Sequence, residues 1–138
     1  MSCKATGVNG LDREALNRLT DRIIECAIQI HSALGPGLLE SVYRACMIYE
    51  LRCAGLSTAS ELVIPICYKE LMLASAYRID LLVENAVVVE LKAVEIVLPV
   101  HYAQVLSYLK LMNKRVGLLI NFNVPRVVMG VKRIVNHF

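Results

Sequence analysis

Apolar residues recur every three or four positions from Glu14 to Leu34: Leu16, Leu19, Ile23, Ala27, Ile30 and Leu34. That period predicts an amphipathic helix. Gly35-Pro36-Gly37 ends it. A second helix is predicted to run to about Ala54, with Leu39, Val42, Cys46, Tyr49 and Cys53 as its inner stripe and Gly55 as its C-cap. Leu62–Tyr68 reads as a strand interrupted by Pro65, which assigns it to a sheet edge or a bulge. Leu71–Ala76 continues the sheet, and an apolar hairpin spans Tyr77 to about Ala93. Pro99 opens a third helix lasting to about Met112. Gly117–Phe122 is a short apolar strand, and Val127–Val135 is a weaker alternating one. This order predicts an α/β domain with a mixed central sheet flanked by helices. Residues 1–12 are expected to form a flexible tail and 13–138 a single domain.

Within the hairpin, YRIDLLVENAVVVELK, the period is two. It puts Ile79, Leu81 and Val83 on one face, and Arg78, Asp80 and Leu82 on the other. On the second strand Val88, Glu90 and Lys92 share a face. A turn centred on Asn85 pairs Val83 with Val87, Asp80 with Glu90, and Arg78 with Lys92. Like charges directly opposed destabilise a sheet. A divalent cation would offset the repulsion, and carboxylate oxygens suit Mg2+ or Mn2+. Lys92 points to the same side, where it would hold an attacking water or stabilise charge developing on a phosphate. The plainer reading is a solvent-facing patch in which Arg78 and Lys92 neutralise the acids. The flanking VVV and LLV runs weigh against it, because they leave the hairpin little solvent-facing area.

Two helices offer further candidates. Glu40 follows the GPG turn in GLLESVY. It is either a favourable charge at a helix N-terminus or a third carboxylate reaching the same metal region. Tyr43 lies beside it on the helix, to position the acid or the substrate or to serve as core. In the third helix His101, Gln104 and Tyr108 share a face. Gln104 among apolar neighbours needs hydrogen-bond partners and is a candidate to orient Lys92 or a water. Tyr108 is a candidate contact to phosphate or base, and His101 a residue lining the entrance. Packing is the alternative for each.

Charge sharpens the picture more than composition does. The chain is 57% hydrophobic, enough to bury a core without covalent staples. Its net charge is only +3, yet all 12 acids precede residue 96. Lys110, Lys114, Arg115, Arg126, Lys132 and Arg133 follow, with no acid among them. Such a basic third is either a polyanion-binding face or an ordinary solvated surface. The five cysteines (Cys3, Cys26, Cys46, Cys53, Cys67) contain no CxxC pair, which fits buried free thiols in a reducing compartment. The scattered histidines argue against zinc. No signal peptide and no run of about 18 uncharged apolar residues is present, so the cytoplasm is the default location.

The stretches HSALGPGLLESVY, RIDLLV, VVVELKAVE, HYAQVLSYLK and GLLINFNVP resemble the family of small proteins named for the GxxExxY motif, matched by Gly37, Glu40 and Tyr43. That family looks like a branch of the PD-(D/E)xK nuclease superfamily. The resemblance implies a restriction-endonuclease-like core. It also implies a magnesium site in which Glu40 matches the helix acid, Asp80 the aspartate, and Glu90 with Lys92 the E-x-K pair. Gln104 and Tyr108 resemble the QxxxY motif of RecB-type nucleases. The implied activity is phosphodiester hydrolysis in DNA, or less readily RNA. Tyr43, Arg78, His101, Tyr108, Lys110, Lys114 and Arg115 are the candidate substrate contacts. A homodimer would widen the binding surface. The competing readings are a nucleic-acid-binding protein with weak or no catalysis, and a partner-binding protein whose carboxylates are surface groups.

Overall fold

The computed structural model describes residues 10–138. Asp12 opens α1 (Arg13–Leu34) by accepting the Ala15 N–H at 2.7 Å, and Gly35, at φ 70°, ends it. Leu16, Leu19, Ile23, Ala27 and Ile30 are buried as their spacing predicts, while Leu34 is exposed. α2 spans Glu40–Cys53 and α3 Pro99–Met112, with Pro99 in the first turn as expected. The strands are β1 (Thr58–Tyr68), β2 (Leu71–Val83), β3 (Val87–Lys92), β4 (Val116–Asn121) and β5 (Val131–Val135).

They form one mixed sheet in the order β1-β2-β3-β4-β5. The β3–β4 pair is parallel and the others antiparallel. α3 supplies the crossover between β3 and β4, the connection that parallel neighbours require. α1 and α2 cover one face of the sheet, over Leu81, Val83, Val89, Leu91 and Leu118. α3 covers the other, where Tyr108 and Leu109 meet Ile79, Leu82 and Val88. This is the mixed sheet flanked by helices that the element order predicted.

Four details differ from the sequence reading. β2 is one continuous strand from Leu71, so its outer half forms an arm with β1. Its alternation breaks at Asp80, because Ile79 packs on the α3 side with Leu82 while Leu81 and Val83 pack on the other. α2 buries Tyr43, Met47 and Leu51 in place of the expected stripe, and Leu39 and Tyr49 are exposed. The predicted last strand is a 3-10 turn, Val127–Gly130, followed by β5. At that turn a side chain on Gly130 would collide with the Asn121 carbonyl, so only glycine allows the close approach.

Pro65 behaves as expected. β1 is an edge strand, and its register with β2 shifts between Ile64 and Ile66. Cys26, Cys46 and Cys53 are free thiols, but only Cys26 is fully buried. Cys67 is disulfide-bonded, contrary to the expectation of reduced thiols throughout. Cys3 and most of the expected tail lie outside the described residues. Among the described residues no helix is long and apolar enough to cross a membrane.

Candidate active site

The β2–β3 ladder pairs Val83 with Val87, Leu82 with Val88 and Leu81 with Val89, the register set by a turn at Asn85. Asp80 and Glu90 come next, where the ladder stops. There the carboxylates replace the missing backbone bonds. Glu90 Oε1 accepts the Asp80 N–H at 3.0 Å, and Asp80 Oδ2 accepts the Leu91 N–H at 2.8 Å. Each acid therefore clasps the other's strand. Glu90 is 5% exposed. Burial, followed by the charge of Asp80, pushes its carboxyl up to about 8, against the smaller opposing effect of Lys92. Ionised together, the two carboxylates would repel, and the raised Glu90 carboxyl keeps its proton instead.

Glu40 reaches the same place from the start of α2. Its carboxyl is raised by burial first and then by Asp80, while Lys92, Arg44 and His101 act in the opposite direction. The loop that delivers it is tied down by Tyr43. That hydroxyl donates to the Gly35 carbonyl at 2.6 Å and accepts the Leu38 N–H at 3.2 Å. The Tyr43 ring, fully buried, stacks on Phe122 with centroids 4.4 Å apart. Gly37, at φ 98°, provides the turn. The spacing Gly37, Glu40, Tyr43 thus has a mechanical meaning: a left-handed turn, an acid at the helix start, and an anchor beneath. Tyr43 sits in the core and not where a substrate would touch it.

A cleft of about 760 Å³ opens between α3 and the β1–β2 arm, lined in part by Lys92, His101, Gln104, Tyr108 and Lys110. Lys92 and these α3 residues therefore line one surface. Tyr108 is nearly buried, and its phenol is pushed up to about 12 by burial and then by Glu90, so it stays protonated. His101 also caps α3, accepting the Leu98 N–H on Nδ1 at 3.0 Å, which leaves the ring proton on Nε2.

Three candidates lie elsewhere. Arg78 is exposed on the arm and faces Val63 of β1, not Lys92, because β2 has left β3 by that point. Lys114 is buried, with its ammonium donating to Asn85 in the β2–β3 turn at 3.2 Å; desolvation lowers its pKa. Arg115 donates to the Leu11 carbonyl at 3.1 Å and lies over the Phe138 ring. Both sit where Val87 pairs with Val116, at the far end of β3 from Lys92. Five residues of strand separate the two ends, about 16 Å.

Two site-shaping residues escaped the sequence reading. Arg44 pairs with Asp80 at 3.3 Å and with Glu61 at 3.6 Å. Its position four residues after Glu40 was the available signal, since such pairs share a helix face. Asn121, 3% exposed, accepts the Val94 and Asn123 N–H groups at 3.1 and 3.2 Å and donates to the Val94 carbonyl at 2.9 Å. It fixes the chain just beyond Lys92, and an amide inside the apolar run GLLINF was its signal.

The donor chemistry suits a hard divalent cation, because Asp80 and Glu90 lie side by side, Glu40 is close enough to feel the Asp80 charge, and Glu40 and Glu90 are both destabilised as anions. The Asp80 and Glu90 oxygens engage backbone N–H groups and Arg44, however. Among the described residues no three acidic, histidine or cysteine groups converge closely enough to enclose an ion. The Arg44 contact occupies one Asp80 oxygen that a cation would otherwise compete for.

A family profile described as the PD-(D/E)XK nuclease superfamily matches residues 17–134. The match covers most of the chain, and the mixed sheet with its flanking helices agrees with that superfamily's restriction-endonuclease-like fold. The chain belongs to the PD-(D/E)XK nuclease superfamily. No curated protein and no solved structure matches it significantly.

Proposed function

We propose that the protein is a metal-dependent nuclease that hydrolyses phosphodiester bonds, with DNA favoured over RNA, within the branch named for the GxxExxY motif. The observation that carries the proposal is the Asp80–Glu90 clasp, in which two neighbouring carboxylates are held beside Lys92 at the head of a cleft. Asp80, Glu90 and Glu40 would hold Mg2+ or Mn2+, which when bound supplies Lewis-acid neutralisation of charge at the scissile phosphate. Lys92 lies on the cleft side of that pair, placed to stabilise charge on the phosphate and orient the attacking water. Gln104 offers an amide to the same water or to Lys92. Tyr108 remains a proton donor at neutral pH. Membership of a nuclease superfamily supports a nucleic-acid substrate.

The test is cleavage of labelled single- and double-stranded DNA and RNA with Mg2+ or Mn2+. Wild type should cut at least one of them and stop with EDTA, and Asp80→Asn should lose about a hundred-fold or more in rate. Absence of both cleavage and metal binding overturns the proposal. A second reading, nucleic-acid binding with little turnover, is favoured by the Arg44–Asp80 ion pair, which engages a proposed metal ligand. Binding without cleavage, unchanged in Asp80→Asn, would select it.

A further inference from the structure

The cleft beside the carboxylates has a composition suited to one form of nucleic acid. Its arm side presents Ile66 and Tyr77; its helix side presents Val100 and Leu111. Tyr77, 44% exposed, meets Tyr108 with ring centroids 5.8 Å apart and planes at 59°. Tyr108 is almost fully buried beneath it, so the pair offers one aromatic ring on a fixed support. The cations lining the cleft are few: Lys92 near the acids and Lys110 further along α3. From Val100 to Leu111 the helix side runs about 16 Å, room for a few nucleotides.

We propose that this cleft takes an unpaired nucleic-acid strand, with a base stacked on Tyr77 and the adjoining phosphate at Lys92. A duplex keeps its base faces stacked inside, so it would leave the Tyr77 ring unused and press phosphates against the apolar Ile66, Val100 and Leu111 as well as the few polar groups of the cleft. An unpaired strand presents the faces that an aromatic ring rewards, independently of sequence. The 760 Å³ volume also matches a pocket for small groups rather than a trough for a double helix. The ring pair lies close to the proposed chemistry, since Lys92, two residues along β3 from Glu90, lines the same cleft as Tyr77 and Tyr108. The inference rests on the nuclease reading for what happens to the phosphate, but not for the binding itself.

Fluorescence anisotropy in EDTA tests it, with labelled twelve-nucleotide oligothymidine, oligouridine and a DNA duplex of the same length. One or both single strands should bind at least about ten-fold tighter than the duplex, and the two strands distinguish DNA from RNA as the source. Tyr77→Ala should lose about ten-fold in single-strand affinity, and Tyr77→Phe, which keeps the ring and the fold, should match wild type. With two phosphate contacts the logarithmic salt slope should be near about −1.4. Equal or tighter duplex binding, no binding of any probe, or an unaltered single-strand affinity in Tyr77→Ala overturns the inference. Cleavage of duplex without single-strand preference would sink this inference and leave the nuclease reading. Tyr77-dependent strand binding without metal-dependent cleavage would do the reverse.

Discussion

At the scale of single residues, Glu90 sets the pH behaviour. Its carboxyl is raised to about 8 by burial and then by Asp80, against about 4.3 in an unfolded chain. The folded protein therefore keeps a proton that the unfolded chain releases. The contribution of this group to stability is fullest below about pH 4 and is lost as pH rises toward 8. Glu40, raised mainly by burial, contributes with the same sign. The Tm of metal-free protein should drop between pH 5 and pH 8. Glu90→Gln, which keeps an oxygen for the Asp80 N–H, should flatten that drop, and saturating Mn2+ should reduce it in wild type. Thermal unfolding across pH checks this; an unchanged slope in Glu90→Gln would assign the effect to another group.

Arg44 gives the second residue-scale expectation. Its guanidinium holds the Asp80 oxygen left over from the clasp. Removing the charge should free that oxygen and deepen the negative potential. Arg44→Gln should bind Mn2+ about ten-fold tighter by calorimetry, since a competing like charge at close range is worth about 1–2 kcal/mol at an intermediate dielectric. Weaker Mn2+ binding in this variant would mean that Arg44 supports the site.

At the scale of elements, α2 shows what sequence periodicity reveals and hides. The helix carries two apolar stripes. The one beginning at Leu39 is cleaner in sequence but exposed; the buried one runs Tyr43, Met47, Leu51 and begins at polar Glu40 and Arg44. Those two polar residues lie beside Asp80, and they disguise the inner face as an outer one. α1 has no such conflict and was legible along most of its length. The hairpin register was legible because the turn and the alternation agree down to Leu81. The departure at Asp80 was not, because a carboxylate taking a backbone N–H leaves no periodic trace. Tyr43 tests how firmly the loop supports Glu40. Tyr43→Phe keeps the Phe122 stack but loses two hydrogen bonds of the hydroxyl, which should cost about 1–2 kcal/mol in urea denaturation. Cleavage should fall further than the change in folded fraction explains. A stability loss with unaltered cleavage would separate the loop from the site.

At the scale of the whole molecule, the basic third disperses when folded. Arg115 and Arg133 lie over the Phe138 ring at 5.3 and 4.6 Å, Lys114 is buried, and Lys110 lines the cleft. Sequence order alone could not separate these fates, because charge sign says nothing about direction. Arg115→Ala should lower stability and leave nucleic-acid affinity unchanged. Lys110→Ala should weaken binding and make the salt slope less steep by about 0.7 for a single strand. Anisotropy titrations at several salt concentrations check both; matching losses in the two variants would restore a broad basic face.

The parting of β2 from β3 divides the molecule into fixed and adaptable parts. Asp80 and Glu90 cannot shift without unfastening two central strands, so the acids of the candidate site sit on rigid ground. Beyond Asp80, β2 keeps only β1 as a neighbour in the sheet, and a two-stranded ribbon resists bending far less than a full sheet. On the proposed function, accommodation of differently shaped substrates would fall to the arm. Insertions or exchanges at its Lys69–Glu70 tip are the natural place to alter what the cleft admits while leaving the reaction centre as it is.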